Sequence, residues 1–250
     1  ETFEQSESIG IGIRVFTDDR RMGFAYSTSL DPEDLGVGST VEAAWHNAQV
    51  TNPDPHNVLP EHSSESYDDW SEQDFDSIPI PDKIDFCRNL EQRVLDADPR
   101  IHQVQQASYG EGSSTMTIAN TRGLHRSFRN ASCSCSVTAS ASQPGSDSEM
   151  GWEFDFGRRF DALRLDWVAQ RCANHALRAL GGTPCPTQAV PIVLDNYVAA
   201  QFLKVIGPAL MADSVIKGRS LFANQVGNAV ASSAVTIIDQ NDFEPGLGRA

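Results

Sequence analysis

Few residues of this chain could hold a metal or attack a carbonyl, and their spacing decides what they can do. The six histidines (His46, His56, His62, His102, His125 and His175) show no H-x-x-x-H or H-E-x-x-H spacing. That spacing would bring two imidazoles and an acid to one helix face for metal-assisted hydrolysis. His56 and His62 flank Glu61 in an acid-rich stretch; a solvated loop explains them better than a weak ligand set, because a metal site needs defined spacing and supporting hydrogen bonds. The five cysteines (Cys87, Cys133, Cys135, Cys172 and Cys185) contain no C-x-x-C pair, and an odd number fits a reducing compartment rather than a disulfide framework or a zinc knuckle. Cys133 and Cys135 share one strand face and read as a packed pair. His175 reads as a satisfied histidine at a helix interface. There is no nucleophile elbow, Walker loop or dinucleotide fingerprint. "GEG" at 110–112 and "GIGI" at 10–13 are explained by a turn and by a strand with small residues. Arg122, His125, Arg126 and Arg129 form the one basic cluster. It is either a receiver of carboxylates, the chain's own acidic stretch included, or a solvated strand face. Arg158-Arg159 is equally open.

One stretch poses a sharper question. "LKVIGPALMADSVIKGRS", residues 203–220, is apolar enough for a core, yet runs through a proline into Asp213, Lys217-Gly218 and Ser220. The question is whether it is an active-site helix or one that only fills space.

The elements that position these residues can be read from periodicity. Ile9, Ile11, Ile13 and Val15 alternate with Gly10, Gly12 and Arg14, a strand with one apolar face, and 17–20 turns the chain into a second strand at 22–27. Asp31-Pro32-Glu33 looks like a helix start that Gly36 and Gly38 interrupt, with a fresh capping box at Ser39-x-x-Glu42. Residues 51–79 read as a linker or flap rather than a packed element. A helix is expected over 81–97, burying Ile84, Cys87, Leu90 and Val94. Short strands follow at 101–108, 113–119, 124–129 and 132–141, an antiparallel meander with a turn at 119–123. A helix over 161–180 places Leu165, Val168, Cys172 and Ala176 on one stripe and stops at Gly181-Gly182. Buried strands are expected at 190–194 and 235–239, with a helix between them held in the core by Val198, Phe202 and Val205 and kinked or ended by Pro208. The fold class is α+β, with mixed and antiparallel sheets and packed helices. The domains are an N-terminal α/β domain (1–60), an acidic linker (61–79), a central α+β domain (80–186) and the start of a C-terminal domain (187–250).

Composition narrows the partners. The formal net charge is −15, and residues 31–82 carry thirteen acids and no Lys or Arg. Such a surface repels phosphate backbones, so direct nucleic-acid binding is not expected. No apolar run approaches the ~18 residues a membrane helix requires, and no signal peptide is visible; from the cysteine usage the expected compartment is the cytoplasm.

Several separated motifs then carry a resemblance: "GIGIRVF" at 10–16, "DPHNVLPE" at 54–61, "SYGEGSSTMTIANTRGL" at 108–124, "GRRFDAL" at 157–163, "RALGGTPCPTQAVPIVLDNYVAAQFL" at 178–203, "VIKGRSLFANQVGNAVASSAVTIID" at 215–239 and "PGLG" at 245–248. In this order they resemble the PmbA/TldD family, also described as modulators of DNA gyrase. The resemblance implies a longer pattern than these 250 residues, so both ends are expected to be truncated. It implies that subunits of the TldD kind bind zinc through an H-E-x-x-x-H helix just before a Lys/Arg-Gly pair, and hydrolyse peptides there. Counting back from Lys217-Gly218, with Asp213, Leu210 and Gly207 matching, places that motif on Leu203, Lys204 and Pro208. Leucine and proline offer no ligand, and a lysine ammonium repels a cation. The resemblance therefore implies the PmbA (TldE) kind: no catalytic and no metal-ligating residue in this chain, zinc only in a TldD-type partner, and an assembly acting on unfolded peptides and leader segments. Asp213, Lys217, Gly218 and Ser220 remain as family signature residues whose role is open, and whether the lone chain is an enzyme is open too. The alternative is a non-catalytic scaffold that binds peptides or proteins.

Overall fold

The computed structural model describes residues 2–30, 36–60 and 71–238. They fall into two compact units: Glu1–Asp68 together with Thr115–Phe128, and Asp69–Ser114 together with Arg129–Ala250. The architecture is mixed α and β with antiparallel pairing, as the sequence leads one to expect.

In the first unit, β1 (Ile11–Phe16) and β2 (Met22–Ser27) form an antiparallel hairpin in the register Ile11↔Ser27 to Phe16↔Met22. Arg20 takes a left-handed φ of 68° in the turn, and the Thr17 hydroxyl accepts from Arg21 N–H at 3.0 Å. Helix α1 (Gly36–Val50) lies on the hairpin through Thr40, Ala44 and Ala48, an i, i+4, i+8 stripe of small residues. Its backbone comes so close that a Cβ on Gly23 would sit 2.0 Å from the Ala44 carbonyl. The expected interruption at Gly36 and Gly38 does not occur, and Ser39 lies inside α1 rather than capping it. Helical glycine costs about 1 kcal/mol per residue, and packing on the hairpin outweighs that. The expected start at Asp31-Pro32-Glu33 lies outside the described residues.

A three-stranded sheet runs in the order β3 (Ile101–Ala119), β4 (His125–Ala141), β5 (Glu149–Gly157); the second unit is built on it, apart from the β3–β4 tip at Thr115–Phe128, which belongs to the first. The expected short strands merge in pairs into β3 and β4, and "GEG" lies within β3 instead of forming a turn. The hairpin turn itself is where the sequence puts it: Asn120 N–H donates to Leu124 O at 2.9 Å, and Gly123 takes φ +87°. Helices α2 (Ile80–Leu95) and α3 (Leu165–Ala179) cover one sheet face. Their Leu90, Val94, Val168, Cys172 and Ala176 pack with Cys133, Cys135, Val137 and Ala139 of β4 in one core. Ile84 and Cys87, expected to be buried with them, are half-buried. Residues 61–70 of the expected acidic linker lie outside the described residues. The stretch after it is packed: Phe75 is buried in a 3-10 turn capped by Asp74.

Strand β5 inverts the usual pattern. Its buried side carries Gly151, Glu153, Asp155 and Gly157, while Met150, Trp152 and Phe156 are exposed. Helix α3 explains why. Arg164 grips Asp155 with two side-chain bonds, at 3.0 and 2.9 Å, and its backbone N–H adds a third. Two turns on, Arg171 holds Glu153 at 2.6 Å, and the Trp167 ring between them lies under both guanidinium groups. Burial alone would raise the Asp155 carboxyl, but the bonds from Arg164 outweigh it and hold the group below the usual carboxylate range. At Gly151 the helix touches the strand, where a Cβ would lie 2.1 Å from the Cys172 carbonyl.

The C-terminal segment departs most from expectation. Residues 190–194 and 235–238 form no strand and are not buried; Val193 is 97% exposed. Helix α4 (Asn196–Leu210) forms, but Val198, Phe202 and Val205 do not anchor it in a core, since all three are exposed. A β-branched run becomes a strand only when a neighbouring strand takes its hydrogen bonds, and no described residue does so here.

Two outcomes test the packing of α3 on β5. Gly151→Ala should lower unfolding free energy by about 1–3 kcal/mol in urea titration, the usual range for overpacking. Asp155 has a depressed folded pKa, so its contribution is present above the ordinary aspartate value of ~3.9 and lost as pH falls through the folded value. Asp155→Asn should cost about 2–3 kcal/mol at neutral pH and flatten the acid limb of the stability profile.

Candidate functional site

The candidate site is the helix-and-turn segment 195–222. Asp195 starts α4 by accepting the Val198 N–H at 2.8 Å, as an N-cap should. Pro208 sits inside α4 near its end and has no N–H to return to the Lys204 carbonyl. The helix stops at Leu210, and a short helix α5 (Ala212–Ile216) follows.

The signature residues hold this segment together. Gly218 takes φ +67°, and its N–H donates to Val215 O at 3.1 Å while Arg219 N–H donates to Ser214 O at 2.9 Å. Those two bonds close α5 as a Schellman cap, which needs the left-handed residue that glycine supplies at least cost. Asp213 receives Lys217 Nζ at 2.5 Å and also the Arg219 guanidinium. The Lys217 ammonium first, with Arg219 behind it, holds the Asp213 carboxyl below the usual range. The Ser220 hydroxyl donates to the Ala209 carbonyl at 2.5 Å and accepts from Phe222 N–H at 3.0 Å. Ser220 thus ties the chain after α5 to the last turn of α4 and satisfies a helix-end carbonyl.

The residues that the resemblance places at a metal position do not form a ligand set. Leu203, Lys204 and Pro208 are all exposed on α4, and the nearby Asp213 is committed to two cations. An apolar side chain, an ammonium and a pyrrolidine ring give zinc no lone pair. These side chains do not fit a zinc ion. Among the described residues, no group of three His, Cys, Asp or Glu is placed to hold a metal ion elsewhere.

The other candidates are scattered. Glu61 and His62 lie outside the described residues, while His56 sits in the loop that Asp54 and Asn57 tie to the Arg20 carbonyl. His102 meets Ser142 Oγ at 3.3 Å, and His175 Nδ1 lies 3.0 Å from the Trp152 carbonyl. All five thiols are free. Burial pushes Cys133 up to about 11 and Cys135 up to about 12, so neither is a thiolate nucleophile near neutrality. An open groove of about 290 Å³ runs beside Gly110, Gly112, Ser132, Ser134 and Phe156. Its one carboxylate, Glu111, is engaged by Lys83 at 2.5 Å and by the Tyr109 hydroxyl at 2.7 Å. Arg122 lies in the β3–β4 turn, and His125 and Arg126 begin β4. The buried carboxylates Glu153 and Asp155 escaped sequence reading; the Arg-x-x-Trp-x-x-x-Arg run at 164–171 was the available signal.

Comparison with known proteins places this geometry. Three consecutive family descriptions match: PmbA/TldA metallopeptidase domain 1 over residues 1–48, the central domain over 73–180 and the C-terminal domain over 187–250. The chain belongs to the PmbA/TldD family. It is 26% identical over 250 residues to the metalloprotease PmbA of Escherichia coli O157:H7, covering 99% of this chain and 55% of that protein. Against the PmbA homologue of Haemophilus influenzae it is 24% identical, covering 92% and 51%. The chain thus spans about half the length of the curated relatives it matches. Among solved structures it resembles a Thermotoga maritima protein described as a proposed modulator of a DNA gyrase (TM-score 0.77, 18% identity, 91% of this chain and 51% of that one). It also resembles TldE from Thermococcus kodakarensis (TM-score 0.64, 18% identity, 83% and 46%). At these identities the structural likeness shows the fold.

The turn makes a direct prediction. Gly218→Ala should destabilise α5 by about 1–2 kcal/mol, the cost of a left-handed non-glycine residue, and Ser220→Ala should release the Ala209 carbonyl. Faster amide exchange at Gly218, Arg219 and Phe222, with the second unit's core unchanged, is the expected readout by hydrogen exchange.

Proposed function

We propose that this chain is a zinc-less subunit of the PmbA (TldE) kind, acting in a PmbA/TldD-type metallopeptidase assembly in the cytoplasm. A TldD-type partner carries zinc and the general base, and the assembly cleaves unfolded or leader peptides. One observation carries the reading: the helix aligned with the family's catalytic helix presents Leu203, Lys204 and Pro208 where two histidines and a glutamate would be needed. The turn at 213–220 is closed by a cap and an ion pair of its own, which supports a scaffolding role for this segment. This chain contributes shape and an interface; water activation belongs to the partner. That no helix among the described residues is long and apolar enough to cross a membrane is compatible with it. The gyrase label of a structural neighbour favours the scaffold alternative only by name, and the net charge of −15 works against direct DNA contact.

The test is zinc content and peptide hydrolysis measured for the chain alone and after co-purification with a TldD-type homologue. Zinc and cleavage confined to the mixed complex are expected. Stoichiometric zinc with cleavage by the lone chain would overturn the reading. The combined Leu203→His, Lys204→Glu and Pro208→His variant should raise zinc affinity of the lone chain at least tenfold over wild type in a competition titration.

A further inference from the structure

Among the described residues β5 is an outer strand of its sheet, and it has the features that make an edge adhesive. It is nine residues long with no proline or lysine, and Met150, Trp152, Phe154 and Phe156 line one face. Met150 is 67% exposed, and the three aromatic rings stack in sequence at centroid distances of 5.1 and 6.3 Å. A strand of this kind is a template for another chain unless its free backbone groups are covered.

Two of those groups, at the centre of the strand, are covered by side chains. The Trp152 carbonyl is bonded to His175 Nδ1 at 3.0 Å, and the Phe154 N–H donates to Glu153 Oε1 at 3.1 Å. Both backbone groups belong to even-numbered residues, and in an antiparallel ladder alternate residues turn N–H and C=O together to one side. The side-chain partners these two groups take mark that side as the one away from β4. An incoming strand would need that carbonyl and that N–H.

The covering side chains are themselves fixed. The close approach at Gly151 seats the Cys172–Ala176 turn of α3 on β5, which brings His175 to the edge. Arg171 binds Glu153 Oε2 at 2.6 Å and leaves Oε1 for the Phe154 N–H. We propose that His175 and Glu153 close the free edge of β5 against strand addition by a second copy of this chain. A second copy is the matching occupant. Antiparallel pairing of β5 with itself about a two-fold axis normal to the sheet would set two identical aromatic rows side by side. This inference stands apart from the subunit reading and uses none of the residues at the family's metal position.

The experiment is sedimentation velocity over a concentration series on the full chain, for wild type, His175→Ala and His175→Phe, with circular dichroism confirming the fold of each. Both variants remove the donor to Trp152, and the phenylalanine keeps the ring's bulk. Each should associate at a concentration at least tenfold lower than wild type. Adding Met150→Lys, which puts a charge on the same edge, should return them to wild-type behaviour. Folded His175 variants that sediment as wild type does would overturn the proposal, as would association that Met150→Lys leaves unchanged.

Discussion

The second unit depends on one contact, the seating of α3 against β5. Gly151 sets the distance, because only a residue without a side chain lets helix backbone lie on strand backbone there. The direction is set by charge. Two carboxylates on the buried face of β5 accept guanidinium groups two helical turns apart, and the Trp167 ring fills the space beneath them. Buried ion pairs add little net stability over apolar packing, but they penalise every arrangement that leaves a charge alone. Here they fix which turn of α3 meets which residue of β5. The core of β4, α2 and α3 then closes around Val137, Cys172 and Val168.

The same contact turns the aromatic residues of β5 outward. With Glu153 and Asp155 committed to α3, the pleat leaves Met150, Trp152, Phe154 and Phe156 no choice of side. Trp152 meets Tyr197 of α4 at 6.0 Å, so this face continues toward that helix. That helix is held by local devices: an aspartate cap at its start, a serine tie at its end and a glycine-closed turn beyond it. None of them needs a metal. The local shape around Leu203, Lys204 and Pro208 is therefore set by the chain's own bonds.

Legibility of the sequence varied for physical reasons. The β1–β2 hairpin, α2, α3 and the β3–β4 turn were readable because each rests on local signals: alternation, a 3.6-residue stripe, a glycine stop, an Asn-Thr-Arg-Gly turn. Strand β5 was not, because its hydrophobic pattern points to solvent and its polar pattern to the core, the reverse of what periodicity assumes. Segments 190–194 and 235–238 failed in the opposite sense. Their β-branched composition suits a strand, but strand formation is a property of pairs, and no described strand lies beside them. The glycines of α1 misled through propensity, which packing on Gly23 overrode.

Sequence alone determined the α+β class and the family, because these follow from residue identity and order. It also placed Asp213, Lys217, Gly218 and Ser220 together without giving them work. Only the tertiary structure decided that work, since a left-handed cap, an ion pair and a hydroxyl-to-carbonyl tie are relations in space between residues up to eleven positions apart. It alone also put two carboxylates inside and three aromatic rings outside on β5. That choice depended on the arginines of α3, whose position no local pattern in the strand contains.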